Sequence, residues 1–502
     1  MQIGLALRCL CGRFFTNCHW RKWMSVSKRF GNRSGSLGGI CQLIFAGIFF
    51  FATAVPAFAE GLYPLGDVEG IPRFSDEHIQ LRPPSDTGTR PPLIVEKGDL
   101  FLGVGNLDEG FTTPWGAVWQ PQLWVFGTMR SSLQMFDNGV ASTASEWRNR
   151  FDLYANLQLT GTEKILIGVR PLDVNRPDGF SGVSLNDSRD GGGTENFNMA
   201  IRTLFFEGDF GSLFPGLDSG GYKWTDYGFA VGRQLLQFQE GILLNDEVDA
   251  LGLVRNNIRL PGVSNLRSSF VWGWNELGRS NARVNDAAHM FGFFNSADLY
   301  KSSVNLDLIV VADSQKDGDG VYVGASTIQR IGHYNTTFRI NSSIAEGKDN
   351  AKVGTGVLLS SEVSWTPKSS DDIVYINTFV ASGDFTQAGR EPVVGGPLGA
   401  LGIMFASPSL GNFGSELSSA ASDVAGFAVG YEAFWMNHRR SLTMEIAGRK
   451  DTGGGGFDDM AVGFEYRHRL AQRIQWQFDA HYSLQERRTD GFGLRSEIAY
   501  QF

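Results

Sequence analysis

A period-two alternation of apolar and polar residues runs through most of this 502-residue chain and continues to its last residue. In 490–502 one face carries Phe492, Leu494, Ile498, Tyr500 and Phe502, and the other Gly493, Arg495, Glu497, Ala499 and Gln501. In 473–487 Ile474, Trp476, Phe478, Ala480, Tyr482 and Leu484 alternate with Arg473, Gln475, Gln477, Asp479, His481, Ser483 and Gln485. The same pattern marks 147–160, 333–344, 423–436, 441–449 and 459–469. Period two is the mark of a strand with unlike faces. These segments are too long for a soluble sandwich, whose strands average about five or six residues. A tilted strand crossing a bilayer needs about 9–11. Closing such strands into a barrel satisfies every backbone group within the lipid. The fold class implied is all-β: a single antiparallel transmembrane barrel with lipid outside and water inside.

The strands read from this pattern are 119–130, 147–160, 163–171, 196–210, 226–235, 251–259, 266–275, 287–296, 300–312, 321–330, 333–344, 355–366, 371–383, 423–436, 441–449, 460–469, 473–487 and 490–502. That is about 18; without the pair 251–259 and 287–296 it is 16. Their connections alternate in length. Short ones fall at 470–472, 437–440, 367–370, 331–332 and 161–162, and longer ones between them, up to 384–422. Short periplasmic turns and longer extracellular loops are the pattern of bacterial barrels. The exceptions are 211–225, long on the short-turn side, and 488–489, tight on the loop side.

The amino-terminal 59 residues hold seven Lys/Arg and no Asp or Glu, then an apolar stretch from Ile40 to Val55 and Ala57-Phe58-Ala59. This is the layout of a secretory signal peptide. All four cysteines lie within it. Without it the charge is (44 − 7) − 53 = −16, which argues against a nucleic-acid partner. Residues 60–118, rich in Pro and Gly at the start, read as an irregular periplasmic extension before a barrel at 119–502. The outer membrane, with its lipid, is the expected location.

On the inward faces stand Arg148, Arg150, Arg202, Arg267, Arg339, Arg449, Arg467, Arg469, Arg473 and Arg495. Asp152, Asp307, Glu362, Glu432, Glu445, Glu465, Asp479 and Glu497 share that surface. Guanidinium groups bind carboxylates and phosphates bidentately. A pore lined by them favours small hydrophilic, anionic solutes, unless the charges only pair with one another across strands. The terminal strand with Tyr500 and Phe502 resembles the assembly signal that the outer-membrane barrel-assembly machinery reads.

Gly232-Arg233-Gln234, followed by Gly241, Leu244, Arg255 and Asn256, resembles the alginate-export family of outer-membrane barrel porins. The resemblance covers under a tenth of the chain after the signal. It implies an 18-stranded, arginine-rich channel for an anionic polysaccharide, with Arg233 and Arg255 as pore residues. Asn257-Ile258-Arg259 departs from the family's usual continuation.

Nothing points to an enzyme or a cofactor. The six histidines beyond the signal are scattered, without His-Glu-x-x-His, and no Gly-x-Ser-x-Gly is present. Asp317-Gly318-Asp319-Gly320 lacks the order of a calcium loop and reads as a hairpin tip. A plugged barrel acting as a lipase, protease or adhesion protein is the alternative to a channel. The segment 384–422 is too apolar to hang in water, particularly from Leu398 to Phe405. It is expected to fold into the barrel and narrow it.

Overall fold

The computed structural model describes residues 93–97 and 109–502, apart from 141, 173–180, 187–192, 195–196, 198, 219–224, 280–283, 314–317, 347–351, 369 and 392–393. The expected signal peptide, most of the 60–118 extension and Asp317 lie outside the described residues.

Eighteen strands form the wall. They are β1 (Gln122–Asp137), β2 (Ala144–Gln158), β3 (Lys164–Val169), β4 (Ile201–Asp209), β5 (Gly228–Phe238), β6 (Leu244–Leu260), β7 (Val263–Asn275), β8 (Ala288–Asp298) and β9 (Ser302–Asp313). The wall continues through β10 (Asp319–Ile331), β11 (Tyr334–Glu346), β12 (Gly356–Trp365), β13 (Ile373–Phe385), β14 (Ala421–Trp435), β15 (Arg440–Asp451), β16 (Asp459–Arg469), β17 (Ile474–Gln485) and β18 (Gly491–Gln501). Each pairs antiparallel with the next. β18 closes on β1, with Leu494 opposite Met135 and Tyr500 opposite Met129. Each strand read from the sequence has its counterpart here, including both members of the pair whose loss would have given 16.

The alternation sets the two surfaces. Leu133, Trp147, Phe293, Leu306, Ile340, Val380, Met444 and Ile498 stand exposed on the outer face, where lipid covers them in a membrane. Ser132, Glu146, Asn341, Glu445, Arg495 and Glu497 are buried on the inner one. The Phe502 ring lies 5.7 Å from Phe151 and 5.9 Å from Tyr500, and its backbone exchanges two 3.1 Å hydrogen bonds with Gly127. Below that point Val95–Lys97 takes over the edge of β1, pairing with Leu123–Val125.

Wall height is uneven. β3 has only six residues. Above it the short strand Gly182–Ser184 pairs with Glu146–Arg148 of β2, and Gly193–Thr194 pairs in turn with Gly182 and Val183. The exceptional periplasmic connection, 210–227, holds a four-residue helix, Phe210–Leu213, capped by the Asp209 carboxylate on the Ser212 N–H.

Candidate functional site

The connection 386–420 between β13 and β14 crosses the lumen. Its side chains Leu398, Leu401, Phe405, Leu410 and Leu417 are fully buried, which explains why a segment of this composition does not remain in water. It enters alongside β6: the Ala388 N–H donates to the Leu243 carbonyl (2.9 Å) and the Glu391 N–H to that of Asn245 (2.9 Å). In mid-lumen the Glu445 carboxylate accepts from the N–H groups of Ile403 (3.0 Å) and Met404 (2.9 Å) and from the Tyr375 hydroxyl. Gly402 makes this approach possible, since a Cβ there would lie 2.7 Å from Glu445 Oε1. On the far wall Arg130 donates to the Pro408 carbonyl (3.0 Å), Gln134 to that of Leu410 (3.1 Å) and Asn412 to Glu146 (2.8 Å). Glu416 meets His481 at 2.5 Å. The imidazole fits because Gly493 stands opposite it, where a Cβ would come within 2.2 Å.

A second connection also turns inward. The sequence reading made 236–250 a long outer loop; the structure corrects this to a five-residue turn, 239–243, between extended strands. Gln239, Glu240 and Gly241 are all left-handed and direct the chain into the barrel. Ile242 and Leu243 are then fully buried against the inner wall. Gln239 Nε2 donates to Asp307 (2.6 Å), and Glu240 meets Arg339 at 2.5 Å.

The lumen arginines are almost all engaged. Arg148 pairs with Glu146, Arg150 with Asp152, Arg339 with Glu362 and Glu240, Arg467 with Glu465, and Arg495 with Asp479 and Glu497. Arg449 donates to the carbonyls of Ser418 and Ala420. Arg267 and Arg469 are exposed near the periplasmic rim. Arg202 sits at a register shift between β3 and β4, within electrostatic range of Glu247.

Arg233 and Arg255 are not among the lumen-facing set. Arg233 shares its face with the exposed Val231 and Leu235 and is held by Asp249 (2.8 Å) and Glu276 (3.0 Å). Arg255 pairs in register with Ser268, on the face of Phe270 and Trp272, and donates to the Tyr227 hydroxyl (2.8 Å). The alternation of their own strands turns both outward, against the expectation from the family resemblance.

Two arginines missing from the sequence reading are central. Arg170, fully buried, bonds Asp152 (2.8 Å) and Glu391 (3.1 Å) and lies 4.0 Å from Glu247, tying the wall to the crossing loop. Its inward parity was readable, because it alternates with Ile165, Ile167 and Val169. Arg130 bonds Glu497 at 2.7 Å. It is 22% exposed against 5% for its partner, and Arg467 is 48% against 13% for Glu465. Across the lumen the order reverses: Arg339 is 2% exposed and Glu240 55%. Between the loop and β16–β18 and β1 lies a cavity of about 280 Å³, whose charged lining is Arg130, Arg467 and Arg495 together with Glu416, Glu465 and Asp479. A larger hollow, lined by Val304, Phe338, Ile340, Leu359 and Val380, opens on the lipid face and belongs to the outer surface.

A closed 18-stranded barrel with an apolar belt, a charged lumen and inward-folded connections has the fold of the bacterial outer-membrane porins. Solved structures agree. The BenF-like porin from Pseudomonas fluorescens Pf-5 superposes with a TM-score of 0.53 at 12% identity, over 76% of this chain and 98% of that one. OpdK from Pseudomonas aeruginosa, solved with vanillate, gives 0.50 at 13%, over 75% and 98%. OccK2 (OpdF) from Pseudomonas aeruginosa, in complex with glucuronate, gives 0.50 at 12%, over 75% and 98%. At such identities the likeness is one of fold. No family model and no curated protein sequence matches the chain.

Proposed function

We propose that the barrel is an outer-membrane channel for small hydrophilic solutes bearing a carboxylate. The observation that carries this reading is the uneven exposure within the lumen ion pairs. On the wall of β16–β18 and β1 the arginine of the pairs Arg130–Glu497 and Arg467–Glu465 is the accessible partner. A passing anion there meets the guanidinium N–H groups of Arg130 and Arg467 ahead of Glu497 and Glu465, while in the neighbouring pair Asp479 is the more exposed partner of Arg495. The contact is shared with a fixed counter-ion, so it is weak enough to release the solute. The vanillate and glucuronate of two proteins of like fold are both carboxylates, which supports the same solute class.

Export of an alginate-type polysaccharide is less well supported. Its specific residues, Arg233 and Arg255, turn outward, and the connection 386–420 lies across the lumen. The test is conductance and reversal potential of the refolded barrel in a planar bilayer under a salt gradient. Anion preference that Arg130→Gln/Arg467→Gln reverses is the expected result. Cation preference in the unaltered protein would overturn the carboxylate reading. A folded barrel without conductance would favour the plugged, enzymatic or adhesive alternative. Removal of 390–415 should raise the single-channel conductance; an unchanged value would end the role of the loop as a constriction.

A further inference from the structure

The outer face near the periplasmic rim carries a cluster that conduction does not use. Register sets Trp435 opposite Arg440, Arg440 opposite His468, and His468 opposite Trp476. These four side chains form one row across β14–β17. The row lies on the face of Met444 and Val462, both exposed to lipid. Tyr466 packs into it, 6.1 Å from Trp435 and 5.6 Å from Trp476. Arg440 Nε donates to His468 Nε2 (3.2 Å), so the imidazole accepts there and supplies no counter-charge. Arg439 is exposed beside it, and its carbonyl accepts from the Arg469 N–H (2.8 Å).

Neither Arg439 nor Arg440 has a carboxylate partner among the described residues. The turns 436–440 and 467–473 hold five arginines and no Asp or Glu. On the adjacent turn Asp371 lies 3.5 Å from His438, and Asp372 is occupied by Tyr431 and the Phe434 N–H. A guanidinium turned toward lipid without an anion is costly. At the headgroup level phosphate supplies one, in the geometry that arginine binds best. Tryptophan and tyrosine are the side chains that favour this level of the membrane.

We infer that Arg439 and Arg440, flanked by Trp435, His468 and Trp476, bind the phosphodiester headgroup of an anionic phospholipid in the inner leaflet. The indoles cover its glycerol and first methylenes. The site depends on the barrel's orientation in the membrane and not on what the lumen conducts.

Native mass spectrometry of the refolded barrel in detergent tests this, with phosphatidylglycerol and phosphatidylethanolamine added in equal amounts. Retention of phosphatidylglycerol over phosphatidylethanolamine is expected. Arg439→Gln/Arg440→Gln should lower that preference roughly 25-fold, at about fivefold per arginine near an anionic surface. The single variant Arg440→Gln should lower it about fivefold and serves if the double variant does not fold. Equal retention of the two lipids, or full preference in the variants, would overturn the proposal. Displacement of the lipid by millimolar inorganic phosphate would also overturn it, since the site would then read a free anion.

Discussion

The clasp of Glu445 on the crossing loop gives the sharpest test of how the lumen is held narrow. One buried carboxylate accepts from two backbone N–H groups and one hydroxyl. Hydrogen bonds to a charged group contribute about 1.5–3 kcal/mol each. Glu445→Gln keeps the shape and removes the charge. It also turns an amide NH2 toward at least one of the three donors, because only its single oxygen can accept. Losing the charge assistance and leaving one buried donor without an acceptor costs about 3 kcal/mol. At about 1.4 kcal/mol per tenfold, the loop opens roughly 150 times more often. Hydrogen–deuterium exchange of the 398–406 segment in the folded barrel reads this directly. The amides of Ile403 and Met404 should lose about two orders of magnitude of protection, while the wall strands keep theirs. Bilayer recordings of the same variant should show flickering to a larger conductance. Protection within threefold of the parent, with steady conductance, would refute the clasp as the determinant of loop position.

Other outcomes follow from the same structure. Gly493→Ala drives a Cβ into the His481 imidazole and should destabilise by about 1–3 kcal/mol, read as a lower urea midpoint, with Glu416 released from the wall. Phe502→Ala removes two ring contacts at the seam and should reduce insertion in cells more than refolding in detergent; equal loss in both would place its role in stability alone. At Asp372, in the turn before β13, burial pushes the carboxyl up. Hydrogen bonds from the Tyr431 hydroxyl, the Phe434 N–H and Ser370 outweigh this and hold it below its usual 3.8. A depressed folded value contributes stability above the ordinary carboxylate range, lost as pH falls through the folded value. The protection of the Phe434 amide relative to its intrinsic exchange rate should therefore fall in acid, and Asp372→Asn should abolish that dependence.

The strands were legible because each carries its own face pattern, and backbone satisfaction in lipid leaves few other folds. The ends were less so. β1 runs on to Asp137 through Ser131, Ser132 and Gln134, where the outer face is Met129, Leu133 and Met135 and the inner face already belongs to the loop. The turn at 239–243 was misread as part of a long loop because three left-handed residues break the period. Ile242, Leu243 and Leu244 then form a run with no alternation. Arg233 and Arg255 were drawn inward by resemblance, although Val231, Arg233 and Leu235 share one parity and Leu251, Leu253 and Arg255 another. The apolar content of the crossing loop announced that it must be covered. Its partners were not readable. Gln134 meets Leu410 across 276 residues and Arg150 meets Ser409 across 259, and no local pattern encodes such pairs.

Counting inward arginines therefore overstates the positive potential of this lumen. Arg130, Arg148, Arg150, Arg170, Arg339, Arg467 and Arg495 each face a carboxylate a few ångströms away, and a buried pair adds little field at a distance. Selectivity depends on which partner of each pair reaches the water. Arg130 and Arg467 do so on one wall, while Glu240 does so on the other, held there by the buried Arg339. Under the proposed function, a solute carboxylate would be drawn to the β16–β1 side and repelled from the inward turn of β5 and β6. Neutralising Glu240 should strengthen anion preference without touching any arginine. Removing Arg339 should lower anion preference, because it leaves both Glu240 and Glu362 without their counter-charge. A loss of anion preference in Glu240→Gln would show that the accessible member of a pair does not set the local field.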